Sequence, residues 1–154
     1  MKQIGLQDGK EIWLLTLKRP YNFTAHFSGE PYVCILVVNE SSISAAEQSL
    51  LSTQIVQSNC KYAVCAGHQC ATWDLSIDIA YLETDPDLSP PEDEFVMTTW
   101  HEGEPLEEVL WFGFNLTNFD DHDFKKYLIL LIGANESLEN EVEILAFEEA
   151  DLIS

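Results

Sequence analysis

Basic residues are what this sequence has least of: 7 Lys and Arg stand against 27 Asp and Glu in 154 residues, a formal net charge of −20. Between Tyr62 and Phe124 the imbalance is complete, with 15 acidic residues and no Lys or Arg. Non-specific affinity for DNA or RNA comes mainly from cationic side chains neutralising phosphates, and anionic membranes recruit proteins in the same way. Direct nucleic-acid binding and attachment to an anionic membrane are therefore excluded as functions. A basic partner is favoured, with an encounter rate that falls as salt rises.

Other absences narrow the field further. No apolar run approaches the roughly 18 residues of a membrane helix, and the start Met1-Lys-Gln-Ile-Gly-Leu-Gln-Asp8 has no signal-peptide core, so a cytoplasmic protein is expected. Neither G-x-G-x-x-G nor a Walker motif occurs; Gly67 and Gly133 are single, and Gly103 is set among acids. No G-x-S-x-G elbow is present, and Asp120-Asp-His-Asp123 lacks calcium-loop spacing. No motif implies a cofactor.

The four cysteines, at 34, 60, 65 and 70, include two inside apolar runs, where a reduced thiol packs as a small hydrophobe. The series Cys60, Cys65, His68, Cys70 lacks the paired C-x2-C knuckle of a zinc site. A mixed site from His68, Cys70 and His101 is a weaker alternative. Cys70 stands where a helix dipole would favour a thiolate, while Asp74 opposes it.

What is present is material for a core: 46% of residues are hydrophobic and 11% aromatic. Tyr32–Val38 and Lys126–Ile132 are continuous apolar runs of the kind that form strands covered on both faces. Glu11–Leu17, Tyr62–Ala66 and Glu94–Trp100 are three further expected strands. Ser44 and Glu47 have capping-box spacing at the head of a helix reaching about Ser58. Helices are also expected after Gln69 to Leu82, from Glu104-Pro105 through Phe114, and over Ser137–Phe147. The alternation predicts one α/β domain over 1–154, a three-layer, doubly wound and mostly parallel sheet of flavodoxin-like or Rossmann-like type. Residues 1–30 form an edge strand and connection, and 31–150 the core.

Ligands of such sheets bind beyond the carboxyl ends of the strands. Those positions hold Glu40, Ser41 and Ser42 after one strand, His68, Gln69 and Cys70 after the next, and Trp100, His101 and Glu102 after a third. Glu40 and Glu102 are candidate general bases, and His68 and His101 candidate acids, bases or ligand anchors. Ser41, Ser42, Gln69, Cys70, Trp73, Trp100 and Glu104 are candidate ligand or partner contacts. An aromatic at a strand end is suited to wall a pocket or anchor a partner.

The segments Val37-Val-Asn-Glu-Ser-Ser42, Tyr62-Ala-Val-Cys-Ala-Gly-His-Gln-Cys70 and Val96-Met-Thr-Thr-Trp-His-Glu-Gly-Glu-Pro-Leu-Glu-Glu108 resemble a family of small bacterial α/β proteins with no assigned function. The resemblance implies a bacterial or phage origin and one domain, and carries over no catalytic residue. Two functions remain. The first is an acidic interaction protein, such as an immunity or inhibitor protein covering a basic effector. The second is a small enzyme or ligand-binding domain using Glu40, His68, Trp100, His101 and Glu102.

Overall fold

The two longest apolar runs occupy the middle of the sheet in a computed structural model that describes residues 1–24 and 27–150. Its strands are β1 (Lys2–Gln7), β2 (Lys10–Leu17), β3 (Tyr32–Val38), β4 (Cys60–Gly67), β5 (Met97–Trp100) and β6 (Lys126–Ile132). They form one six-stranded sheet in the order β1-β2-β6-β3-β4-β5. All pairs are parallel except β1 with β2. Every residue of β3 is buried, as a strand needs when helices cover both faces of its sheet.

Those helices are α1 (Ala45–Gln57), α2 (Cys70–Leu82), α3 (Leu106–Asn115) and α4 (Glu136–Ala150). Side chains alternate across β3 with the period of two that a pleated strand imposes. Tyr32, Cys34, Leu36 and Val38 pack in the core that holds Leu51 and Ile55 of α1 and Trp73 and Ile77 of α2. Val33, Ile35 and Val37 pack in the other, with Val109, Leu110 and Phe114 of α3 and Val142 and Ala146 of α4. Gly113 lets α3 approach closely, since a Cβ there would stand 2.3 Å from Cδ1 of Ile35. The expected capping box is formed: Glu47 N–H donates to Ser44 Oγ at 3.1 Å and Ser44 N–H to Glu47 Oε1 at 2.9 Å.

Three expectations need correction. Glu11–Leu17 lies in β2, which is second from the edge; the outermost strand is β1. Asp8 and Gly9, both with positive φ, join the two as the hairpin turn that an Asp-Gly pair favours. The strand expected from Glu94 begins only at Met97, because Glu92–Glu94 form a single 3-10 turn after the prolines. Finally, the parallel strands numbered along the chain run 1-5-2-3-4, an order that differs from both the flavodoxin-like 2-1-3-4-5 and the Rossmann 3-2-1-4-5-6. Among the described residues, no helix is long and apolar enough to cross a membrane.

Candidate functional site

Parallel pairing carries the ends of β2, β6, β3, β4 and β5 to one edge of the sheet, as the strand pattern predicted. Backbone hydrogen bonds continue one step past most of these strands. Gly133 N–H donates to Leu17 O, Asn39 N–H to Ile132 O, His68 N–H to Val38 O and His101 N–H to Cys65 O. The first residue after each of β3, β4, β5 and β6 is thus held in register. The side chains beyond them separate into distinct groups.

The first group lies where neighbouring β6 and β3 send the chain to opposite faces, the switch point at which open α/β sheets form clefts. Lys18, Arg19, Tyr21, Glu40, Gly133 and Ala134 line a cleft of about 250 Å³ there. Gly133 has φ +70, and a Cβ on it would meet that of Glu40 at 2.7 Å, so the close approach needs glycine. Arg19 donates through Nε to Glu47 at 2.9 Å and through a terminal nitrogen to Ser42 O at 2.6 Å. Glu40 accepts from the Ser42 hydroxyl at 2.7 Å and its amide at 3.1 Å. These bonds, the hydroxyl first, hold the Glu40 carboxyl below its ordinary range. Glu40 is consequently a fixed carboxylate, poorly tuned as a base for neutral pH. Lys18, Arg19 and Tyr21 were not among the candidates from sequence, although Lys18 and Arg19 directly follow a strand.

The second group surrounds His101, which is 8% exposed. Its Nδ1 lies 2.5 Å from Glu104 Oε2 and its Nε2 2.9 Å from Thr99 Oγ1. Phe112 of α3 packs on the ring with centroids 4.5 Å apart. Both imidazole nitrogens are therefore engaged within the chain, and the histidine ties the end of β5 to α3. The partner is Glu104, brought back by a turn in which Gly103 has φ +71, while Glu102 stays exposed. Thr99, His101 and Glu104 thus form a continuous hydrogen-bonded row of hydroxyl, imidazole and carboxylate.

His68 and Gln69 form an exposed turn, with Gln69 left-handed at φ 54. Cys70, at the head of α2, is 2% exposed, and Trp73 belongs to the core beneath it. Burial pushes the thiols of Cys34 and Cys65 well above their ordinary value and that of Cys60 to about 12. Ser41 and Ser42 are exposed beside Glu40. His68, Cys70 and His101 do not assemble a metal site, since no group of three His, Cys, Asp or Glu side chains suited to an ion occurs among the described residues.

A third group, on the flank of β5, was read from sequence only as an acidic segment. There the proline loop and the segment after α3 carry Asp87, Glu92, Asp93, Glu94, Asp120 and Asp121, all exposed, with Asp85 half-buried among them. Large apolar side chains are exposed on the same segment: Leu82, Leu88, Phe95, Trp100, Trp111 and Leu116. Leu88, Phe95, Tyr81 and Pro90 line a cleft of about 420 Å³ with Glu92 and Asp120 at its margin. The far side of β5 is unpaired, because β4 is its one partner among the described strands.

Residues 12–149 match the family model described as "Domain of unknown function (DUF7684)". No curated protein and no solved structure matches the chain.

Proposed function

As the chain belongs to this family of unknown function, we propose from its own surface that it is a non-catalytic interaction domain whose acidic β5 flank binds a basic protein. The observation that carries this is the coincidence, on one flank, of an unbroken acidic segment with exposed large apolar side chains. Solvation alone asks for charge and not for exposed Leu88, Phe95 and Trp100. Apolar anchors supply affinity, and surrounding carboxylates supply steering and selection against acidic competitors. An immunity or inhibitor protein acting in a bacterial cytoplasm fits this surface.

Location can be separated from total charge. Replacing Glu92, Asp93 and Glu94 by Lys, or Glu136, Glu139 and Glu141 of α4 by Lys, changes net charge equally. Titration with a lysine-rich peptide at low salt should show the first variant losing about tenfold or more in affinity and the second much less. Equal losses would mean that bulk acidity, rather than this flank, does the binding.

One observation favours a second function: the cleft at the switch point holds Lys18 and Arg19, two of the 7 basic residues, beside Glu40. That arrangement suits a small ligand carrying both an anionic and a cationic or hydroxyl group.

A further inference from the structure

We propose that the cleft between the end of α2 and the loop before β5 is an anchor pocket. Its occupant is a bulky apolar side chain of a polypeptide segment in which Lys or Arg flank that side chain. This rests on the acidic-interaction function above and gives its partner a chemistry.

The walls are apolar and already fixed. Tyr81 OH donates to Pro91 O at 2.8 Å, and Ser89 N–H donates to Asp85 Oδ2 at 3.0 Å. Leu88 N–H donates to Asp85 O at 3.0 Å, and consecutive Pro90 and Pro91 stiffen the loop between. Phe95 stands edge-to-face on Tyr81 at 5.6 Å and on Phe119 at 6.5 Å. These bonds tie the loop backbone and the Tyr81 and Phe95 rings before any partner arrives, which lowers the ordering cost of binding relative to a loose apolar patch. The volume of about 420 Å³ lies within the roughly 300–1,000 Å³ of ligand clefts.

Charge decides the occupant. Glu92 and Asp120 stand at the margin, with Asp85, Asp87, Asp93, Glu94 and Asp121 on the adjoining segments; no Lys or Arg occurs from 62 to 124, and one cation, Lys61, reaches this flank, where its Nζ donates to Glu94 O at 3.2 Å. A neutral apolar ligand would cover Leu88 and Phe95 but bring no cation to the carboxylates. A wholly cationic one would satisfy the carboxylates and leave the apolar walls wet. An apolar residue between basic ones meets both, and the unpaired side of β5 offers backbone groups for an extended segment.

The test uses the full chain and two hexapeptides, each with two lysines at either end. One has Leu-Phe at its centre and the other Ser-Ser. Fluorescence anisotropy should show the Leu-Phe peptide binding at least about tenfold tighter. Leu88→Gly and Phe95→Ser should reduce that preference to about twofold or less, whereas Leu6→Ser, on β1 at the opposite sheet edge, should leave it intact. Leu88→Gly keeps the fold in reach because Leu88 already has φ +56, a conformation that glycine adopts without strain. If both peptides bind equally and both weaken with salt, the anchor pocket is wrong and the acidic flank stands. A preference that persists in both cleft variants overturns the location. Binding by neither peptide overturns the pocket and the acidic-interaction function together.

Discussion

Asp74 sits in an environment unfavourable to its charge. It is 7% exposed, and its Oδ2 has no hydrogen-bond partner. Burial first, and then the charge of Asp78 one turn on, raise its carboxyl above the usual range. A carboxyl raised in the folded state favours folding most when protonated, so its contribution is lost as pH rises through the folded value. Asp74→Asn should therefore stabilise the protein by about 0.5–1 kcal/mol near pH 7, with the gain shrinking toward about pH 4. Denaturant unfolding of the two proteins at both pH values checks this; an equal difference at each would contradict the assignment. Legibility at this scale depended on distance along the chain. The Ser44–Glu47 capping box was readable because both partners are local and their spacing is set by the helix. The pairing of His101 with Glu104 instead of Glu102 was not, since it depends on the turn through Gly103 and on burial against Phe112.

At the scale of elements, the apolar runs of β3 and β6 announced central strands because a side chain covered on both faces has no polar alternative. The pairing order was hidden, since β6 inserts between β2 and β3 through contacts distant in sequence. β1 has no fully buried residue and so lacked the hydrophobic signal, although Asp8-Gly9 carried the hairpin signal. Two glycines distinguish backbone freedom from close packing. Gly67 has φ +86, and a Cβ there would stand 2.2 Å from Val38 O, within the turn that directs His68. Gly9 has φ +78 and open space around it. Gly67→Ala should cost about 2–4 kcal/mol by denaturant unfolding and Gly9→Ala only about 1 kcal/mol. Similar costs would mean that the contact with Val38 adds nothing.

Across the whole molecule, the segment from 62 to 124 carries 15 of the 27 acidic residues and none of the 7 basic ones. Lys10 opens β2, Lys126 opens β6, and Lys61 stands near the start of β4, so these bases gather at the edge of the sheet opposite the strand-end residues. Lys18 and Arg19 stand instead at the carboxyl ends, Lys2 opens the antiparallel β1, and Arg19 is tied to Glu47. The candidate catalytic residues foreseen from sequence share an edge but divide among separate neighbourhoods: Glu40 with Ser42, His101 with Glu104, and His68 in an exposed turn. Strand direction was legible and brought them to one side. Which side chains meet there was set by tertiary packing that no local pattern encodes.

Amide hydrogen exchange of the full chain, with and without the lysine-flanked Leu-Phe hexapeptide, tests the interaction surface most directly. Binding at the acidic flank predicts slowed exchange from Tyr81 to Trp100, with residues 18–21, 39–42 and 133–135 unchanged. Protection of those strand-end segments, with the β5 flank unchanged, would contradict it and move the function to the cleft at the switch point.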